Sequence, residues 1–205
     1  MQRKTYLSAL GGCMLLFSAQ SIAWQEQTTV ENNQHVQVWT QSVADTNFKA
    51  FRGQVTIAAP MQSVFDFIGA TEKSPEWYFK TKSAKLLKQL NAKEFLIYSI
   101  TTAPWPVSDR DSITRVKVED ELPGEITIRL RAEPEELPPQ EGMVRITKLD
   151  GYWHLKKLDE EHTEVTLEVA AEPGGLLPSC LANSMAYEMP YESLKNLKRI
   201  LEKNQ

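Results

Sequence analysis

The order of hydrophobic patterns along the chain constrains its fold most strongly. Strand-like segments fill most of the sequence, and one long helical pattern, 178–203, follows the last of them. Consecutive strands joined by short turns pair as antiparallel neighbours, and a sheet must bury its apolar face against another layer. We therefore predict an α+β fold, in which a curved antiparallel sheet of seven or eight strands wraps around the C-terminal helix and leaves an interior between them.

The predicted strands have alternating or β-branched side chains. They are 36–42, 48–57, 83–89, 94–101, 111–119, 125–132, 143–158 and 165–169. Two short helices are predicted after the second strand, one opened by Pro60 in its first turn and one over 71–77. Pro190 lies inside the long C-terminal pattern, where it predicts a kink or a break into two helices.

The N-terminus is typical of a secretory signal. Arg3 and Lys4 precede an apolar stretch, and Ser21-Ile22-Ala23 is similar to an A-x-A cleavage site. The stretch is shorter than the ~20 residues that span a bilayer, which favours a cleaved signal over an anchor. We predict a signal peptide over 1–23, one mature domain over 24–205, and a periplasmic or secreted location. Lipidation at Cys13 stays open as the minor alternative.

Charge and cysteine content exclude several classes of site. Without Arg3 and Lys4, the chain has 21 basic and 27 acidic residues, from 23 and 27 in the whole sequence, so no nucleic-acid partner is expected. Cys180 would be the only mature thiol, and its position at a helix start predicts semi-buried packing. The histidines lack metal-ligand spacing, so neither a metal nor a cofactor is expected.

Motifs for catalysis are absent from the sequence. It has no G-x-S-x-G, no phosphate-binding glycine loop and no G-x-G-x-x-G. Glu168 and His154 are the only acid/base candidates, and nothing in their spacing pairs them. The chain is therefore predicted not to be an enzyme, although residues of a catalytic site can assemble in space.

The most distinctive local sequence is Pro104 to Asp111, where two prolines flank Trp105 just before a strand. One interpretation is a rigid turn in which Arg110 forms a salt bridge, and the other places Trp105 at the mouth or wall of a cavity. On the following strand, Ser112, Thr114, Val116 and Val118 share one face, which we predict to point inward.

These features together resemble the START lipid-transfer family of the helix-grip superfamily. The resemblance covers about Phe48 to Leu201 and rests on Trp77, on Ser108-Asp109-Arg110-Asp111, and on Glu172-Pro173-Gly174-Gly175-Leu176-Leu177-Pro178 before the last helix. It implies a hydrophobic cavity with a loop near the helix as a lid. Many members have a second arginine further along the Arg110 strand, and that arginine enters the cavity. Here Arg115 lies on the opposite face of the strand from Arg110, which leaves open which of the two enters the cavity.

The predicted function is to bind, and possibly to transport, an apolar ligand such as a lipid. The candidate ligand-binding residues are Trp77, Tyr98, Trp105, Arg110, Thr114, Val116, Met185 and Met189. Transient membrane contact and a monomeric state are part of this prediction. The alternatives are a cyclase- or hydrolase-like enzyme that uses the same cavity, and a protein-binding domain whose interior is filled by side chains.

Overall fold

The computed structural model describes residues 23–27, 36–44, 46–120, 122–175 and 177–203. It confirms the predicted α+β architecture, a large antiparallel sheet with a long C-terminal helix. Most of the predicted signal peptide, with Cys13, lies outside the described residues. None of the helices in the described part of the chain is long and apolar enough to cross a membrane.

The sheet is mostly antiparallel, and β3 pairs with β10, so that strands from the two ends of the domain are neighbours. Its strands are β1 (Gln25–Glu26), β2 (Gln37–Ser42), β3 (Lys49–Ile57), β4 (Thr81–Asn91), β5 (Glu94–Thr101), β6 (Arg110–Asp120), β7 (Glu125–Ala132), β8 (Val144–Arg145), β9 (Lys148–Lys157) and β10 (Thr163–Glu172). Helices α1 (Met61–Gly69), α2 (Ser74–Trp77) and α3 (Ser179–Lys203) cover one face, with a 3₁₀ turn at Thr71–Lys73 before α2. The strand order is β1-β2-β3-β10-β9-β7-β6-β5-β4, and β8 pairs with β6.

The segment predicted as one strand over 143–158 is divided into β8 and β9. Val144 and Arg145 pair in parallel with Arg110 and Asp111 of β6, whereas β9 pairs with β7 and β10. The division follows from Arg145, whose guanidinium forms a two-pronged salt bridge with buried Asp111, at 3.0 and 2.8 Å. With β1, which has only two residues, β8 raises the strand count above the predicted seven or eight.

Helix α3 continues through Pro190 as one helix, so the predicted alternative of a break there is wrong. Pro190 and Leu194 are buried against β3 at Gly53. A Cβ at position 53 would lie 2.7 Å from Leu194 Cδ1 and 2.8 Å from Pro190 Cβ. The missing backbone N–H of Pro190 costs one hydrogen bond, but its packing on this glycine holds both halves of the helix on the sheet.

The main core lies between the sheet and its helices. Leu155 and Leu167 from the sheet meet Leu194, Leu197 and Leu201 of α3. A second, smaller cluster on the opposite face of the sheet consists of Leu96, Tyr98 and Ile113, covered by Leu137. The fold thus places one apolar layer under α3 and a minor one on the outer face.

Candidate functional site

A cavity of about 660 Å³ lies between the sheet, helices α1 and α2, and the first half of α3. Its walls include Phe95 and Ile97 of β5, Leu130 of β7, and Met185 and Met189 of α3. This volume is within the usual range of ligand pockets, about 300–1,000 Å³. The fold therefore encloses a largely apolar space large enough for an organic ligand.

Strand β6 supplies the inward face that the sequence predicts. Ser112, Thr114, Val116 and Val118 all line the cavity, and so does Arg110, which has the same parity. Arg115 is on the other face, where it donates to Glu133 at 2.6 Å and to Glu94 at 2.9 Å. The question left open by the sequence is thus answered: Arg110 enters the cavity wall and Arg115 does not.

The cavity wall contains most of the predicted ligand-binding residues. Those found there are Trp77, Arg110, Thr114, Val116, Met185 and Met189. Tyr98 is not among the lining residues: it packs with Leu96 and Ile113 on the outer face, and its hydroxyl contacts Met143 Sδ at 3.9 Å. Its placement by sequence was wrong because β5 is apolar on both faces, so that alternation alone does not show which face is inward.

Trp105 also lies off the cavity wall, and 93% of its surface is exposed. The two prolines do form a tight turn, with a Val107 N–H bond to the Pro104 carbonyl at 3.0 Å. That turn directs the indole into solvent, while the neighbouring Thr102 and Ala103 reach the cavity. The interpretation of Trp105 as a cavity-wall residue is therefore wrong.

Arg110 has an unusual environment for a charged side chain. It is only 4% exposed, and it donates to the backbone carbonyls of Ser108 at 2.5 Å and of Pro173 and Gly174 at 3.4 Å each. Burial lowers the pKa of its guanidinium, since desolvation disfavours the charged form. Among the described residues it forms no salt bridge, contrary to the prediction that a salt bridge holds it in the turn.

The two flanking carboxylates are engaged elsewhere. Asp109 accepts from the Ala103 backbone N–H at 3.2 Å and pairs with Lys82 at 3.2 Å. The Ala103 N–H is the main cause that lowers the pKa of Asp109, and Lys82 adds to it. Asp111 points away from the cavity to Arg145, whose pKa is raised by that hydrogen bond. Neither acid neutralises Arg110 by direct contact.

The loop between β10 and α3 covers the cavity beside Arg110. Pro173 and Leu177 line the cavity, and Gly174 and Gly175 adopt positive φ of 66° and 62°. This conformation favours glycine because it has no Cβ. The turn brings the Pro173 and Gly174 carbonyls to the Arg110 guanidinium, and so links the loop to the cavity wall.

An aromatic cluster forms another part of the cavity. The rings of Trp77 and Trp153 have centroids 5.8 Å apart, and Tyr78 is 5.4 Å from Trp77. Desolvation raises the pKa of Tyr78 to about 12. Trp77 Nε1, which is buried, has no hydrogen-bond partner among the described residues. The sequence predicted Trp77 as a candidate ligand-binding residue but offered no reason to place it beside Tyr78 and Trp153.

The acid/base candidates from the sequence lie outside the cavity. His154 is 3.3 Å from Glu125, and Glu168 accepts hydrogen bonds from Arg52 at 2.7 Å and Tyr152 at 2.9 Å. All of these side chains are on the outer face of the sheet, opposite in parity to Trp153 and Leu167. Cys180 is exposed, which corrects the prediction of semi-buried packing.

The comparisons with known proteins agree with this geometry. The START domain model matches residues 7–205. An uncharacterized protein of Pseudomonas aeruginosa is 36% identical over 168 residues, which are 82% of this chain and 83% of that protein. Among solved structures, the STAR-related lipid transfer protein fragment from Xanthomonas axonopodis has a TM-score of 0.79 at 32% identity, over 87% of this chain and 98% of that one.

More distant solved structures share the fold. Human StAR-related lipid transfer protein 5 has a TM-score of 0.77 at 17% identity, over 93% of this chain and 92% of that one. The Zhui aromatase/cyclase from Streptomyces has a TM-score of 0.52 at 16% identity, over 75% and 92%. The family model, which matches nearly the whole chain, identifies the family: the chain belongs to the START domain family.

Proposed function

We propose that the protein binds a lipid or similar apolar ligand in the cavity and carries it without changing it chemically. The observation that supports this most directly is the apolar cavity of about 660 Å³ between β5, β6 and α3. Burying a few hundred Å² of apolar ligand surface contributes several kcal/mol at ~25 cal/mol per Å². Binding of this kind needs no reactive group.

The positions of the titratable groups favour a carrier over a cyclase- or hydrolase-like enzyme. An enzyme in this cavity would need an acid and a base that converge on a bound substrate. His154 and Glu168 are on the outer face, and the carboxylates that border the cavity, Asp66 and Glu72, are on exposed side chains. The likeness to an aromatase/cyclase is one of fold only.

A pair of variants on one strand tests the proposed function. Val116→Trp would place a bulky ring inside the cavity, whereas Lys117→Trp adds the same ring to the exposed outer face of β6. We expect Val116→Trp to weaken binding of the neutral apolar dye N-phenyl-1-naphthylamine, measured by its fluorescence, and Lys117→Trp to bind like the unmodified protein. Equal binding by both variants would contradict ligand occupation of this cavity.

We further propose that the protein is exported and that signal cleavage after Ala23 leaves Trp24 as its first residue. The proposal is supported by the basic start, the apolar stretch and the Ser21-Ile22-Ala23 site. N-terminal sequencing of protein recovered from the periplasm or the medium tests it. A mature chain that begins at Trp24 is expected, and retention of Met1 in the cytoplasmic fraction would overturn it. A monomeric state and transient membrane contact stay predictions.

A further inference from the structure

The cavity wall formed by β5 and β6 changes polarity along the strands. Directly paired inward residues run from Thr101 with Arg110 and Ser99 with Ser112, through Ile97 with Thr114, to Phe95 with Val116. The two serine hydroxyls are 2.8 Å apart. The distance from Phe95 to Thr101 is six residue steps of ~3.4 Å, which gives this wall a length of about 20 Å. One end therefore offers a guanidinium and hydroxyl groups, and the other end only hydrocarbon.

No carboxylate among the described residues contacts the positive charge at the polar end directly, and the nearby charge of Asp109 only partly offsets the lowering of the Arg110 pKa by burial. Buried charges are normally paired, because desolvation of an unpaired ion is costly. Arg110 is buried and forms no ion pair among the described residues, since Asp109 and Asp111 are engaged by Lys82 and Arg145. Its contacts are neutral carbonyls. An anion in the cavity would give Arg110 a charged partner in direct contact.

The guanidinium also has unused donors. It carries five N–H groups in a planar fork, and the described contacts are one bond at 2.5 Å, to Ser108, and two longer ones at 3.4 Å. A fork of this kind is suited to two-pronged contact with a carboxylate or a phosphate. Ser99 and Ser112 share one hydrogen bond, so one of their two hydroxyls keeps its O–H free to donate to the same group.

The volume accommodates a ligand of this shape. A cavity of about 660 Å³ lies within the ~300–1,000 Å³ range of ligand pockets, and a molecule with one hydrocarbon chain and a small head group fits in it.

From this arrangement, and resting on the proposed carrier function, we propose that the ligand is a single-chain amphiphile with an anionic head group. The head group, a carboxylate or a phosphate, contacts Arg110, and the chain extends toward Phe95 and Val116. This orientation places the head beside the β10–α3 loop, whose carbonyls already contact Arg110.

The test compares ligands and variants that differ in one group. Isothermal titration calorimetry is carried out with palmitate and with hexadecanol, which have the same chain length but differ in head-group charge. The variants are Arg110→Gln, which removes the cavity charge, Arg110→Lys, which keeps it, and Arg115→Gln, which removes a charge from the outer face of the same strand. Circular dichroism establishes that each variant is folded.

The expected result is a loss of palmitate affinity of about 10- to 100-fold in Arg110→Gln, the range for a hydrogen bond to a charged group. Hexadecanol affinity is expected to change little in that variant, and Arg115→Gln to bind both ligands as the unmodified protein does. Arg110→Lys is expected to recover part of the palmitate affinity. An equal loss for both ligands would overturn the head-group proposal and leave Arg110 as a residue that only holds the loop.

Measurements on the unmodified protein keep the test decisive if Arg110→Gln does not fold. Palmitate should bind more tightly than hexadecanol, and its affinity should fall toward that of hexadecanol as acid protonates the carboxylate. Palmitate binding no tighter than hexadecanol would refute the head-group proposal while the carrier function stands. If palmitate, hexadecanol and dodecyl phosphate all fail to bind while N-phenyl-1-naphthylamine binds, the proposed single-chain ligand is wrong. If the dye also fails to bind, the proposed function is wrong as well.

Discussion

Substitution of Gly53 tests how closely helix α3 packs on the sheet above the core. An alanine Cβ at this position would lie 2.7 Å from Leu194 Cδ1 and 2.8 Å from Pro190 Cβ. The leucine methyl can rotate away, but the Pro190 ring is held by the helix and by burial, so the helix itself must shift. Overpacking of this kind costs about 1–3 kcal/mol.

An opposing effect comes from the unfolded chain. Replacing glycine with alanine stabilises by about 0.4–1 kcal/mol through lower unfolded-state entropy, where the native backbone is compatible. We expect a net loss of about 1–2 kcal/mol for Gly53→Ala, which lowers Tm by about 2–8 °C for a chain of this size. Differential scanning calorimetry measures the change.

Gly69→Ala is the matched control, because a Cβ at Gly69 has no heavy atom within 4 Å and its φ is not positive. The control is expected to keep or slightly raise Tm. If Gly53→Ala were as stable as Gly69→Ala, the close contact between β3 and α3 would be refuted. Addition of Leu194→Ala to Gly53→Ala should not restore stability, since the Pro190 contact stays and a core side chain is lost.

Three further predictions concern single groups. Asp111→Ala leaves Arg145 buried without its carboxylate, so the free energy of unfolding, measured by chemical denaturation, should fall by about 3–5 kcal/mol. Arg115→Ala removes the half-exposed ion pairs of the same strand and should lower it by less than about 1 kcal/mol. Equal losses in the two variants would contradict the account. Burial raises the pKa of Tyr78 to about 12 from 10.0, so the stability from its neutral form is present below about pH 10 and is lost as the pH rises toward 12. The pKa values of Tyr98 and Tyr152 are raised as well, so an absorbance titration should show several late tyrosines, with one fewer in Tyr78→Phe. Identical late portions of the two curves would refute the burial of Tyr78. Trp105→Ala removes a 93% exposed side chain and should change stability by no more than about 0.5 kcal/mol, with dye binding unchanged; a lower dye affinity would place Trp105 at the cavity after all.

The parity of β6 could be predicted from the sequence because its two faces differ. Ser112, Thr114, Val116 and Val118 lack charge, whereas Arg115 and Lys117 are charged, so only one face could be buried. Arg110 has the same parity, but the sequence alone left open whether Arg110 or Arg115 enters the cavity. The two glycines before the last helix were equally informative, because a positive φ favours glycine.

The parity of β5 could not be predicted in this way. Phe95 and Ile97 on one face and Leu96 and Tyr98 on the other are both apolar, and the structure buries both, one against the cavity and one under Leu137. The second apolar layer depends on the segment that Arg145 holds through the carbonyls of Pro134, Leu137 and Pro138. No local pattern predicts such a long-range contact.

The sequence also did not predict that Arg110 forms no salt bridge among the described residues. Its two acidic neighbours suggested a salt bridge, but their side chains are taken by Lys82 and Arg145, which are distant in the chain. The exposed position of Trp105 has a similar origin, since aromatic character predicts burial and only the turn shows where the ring points. Local sequence determines where the strands form. Which side chains line the cavity also depends on contacts between residues that are distant in the chain.

The central claim is that the cavity holds an apolar ligand, and native mass spectrometry tests it most directly. The chain 24–205, purified after exposure to a total lipid extract, is measured intact, and any released molecule is identified. The account predicts one ligand per chain, with lower occupancy in Val116→Trp than in Lys117→Trp. A mass equal to that of the protein alone, in the unmodified chain as in both variants, would contradict it.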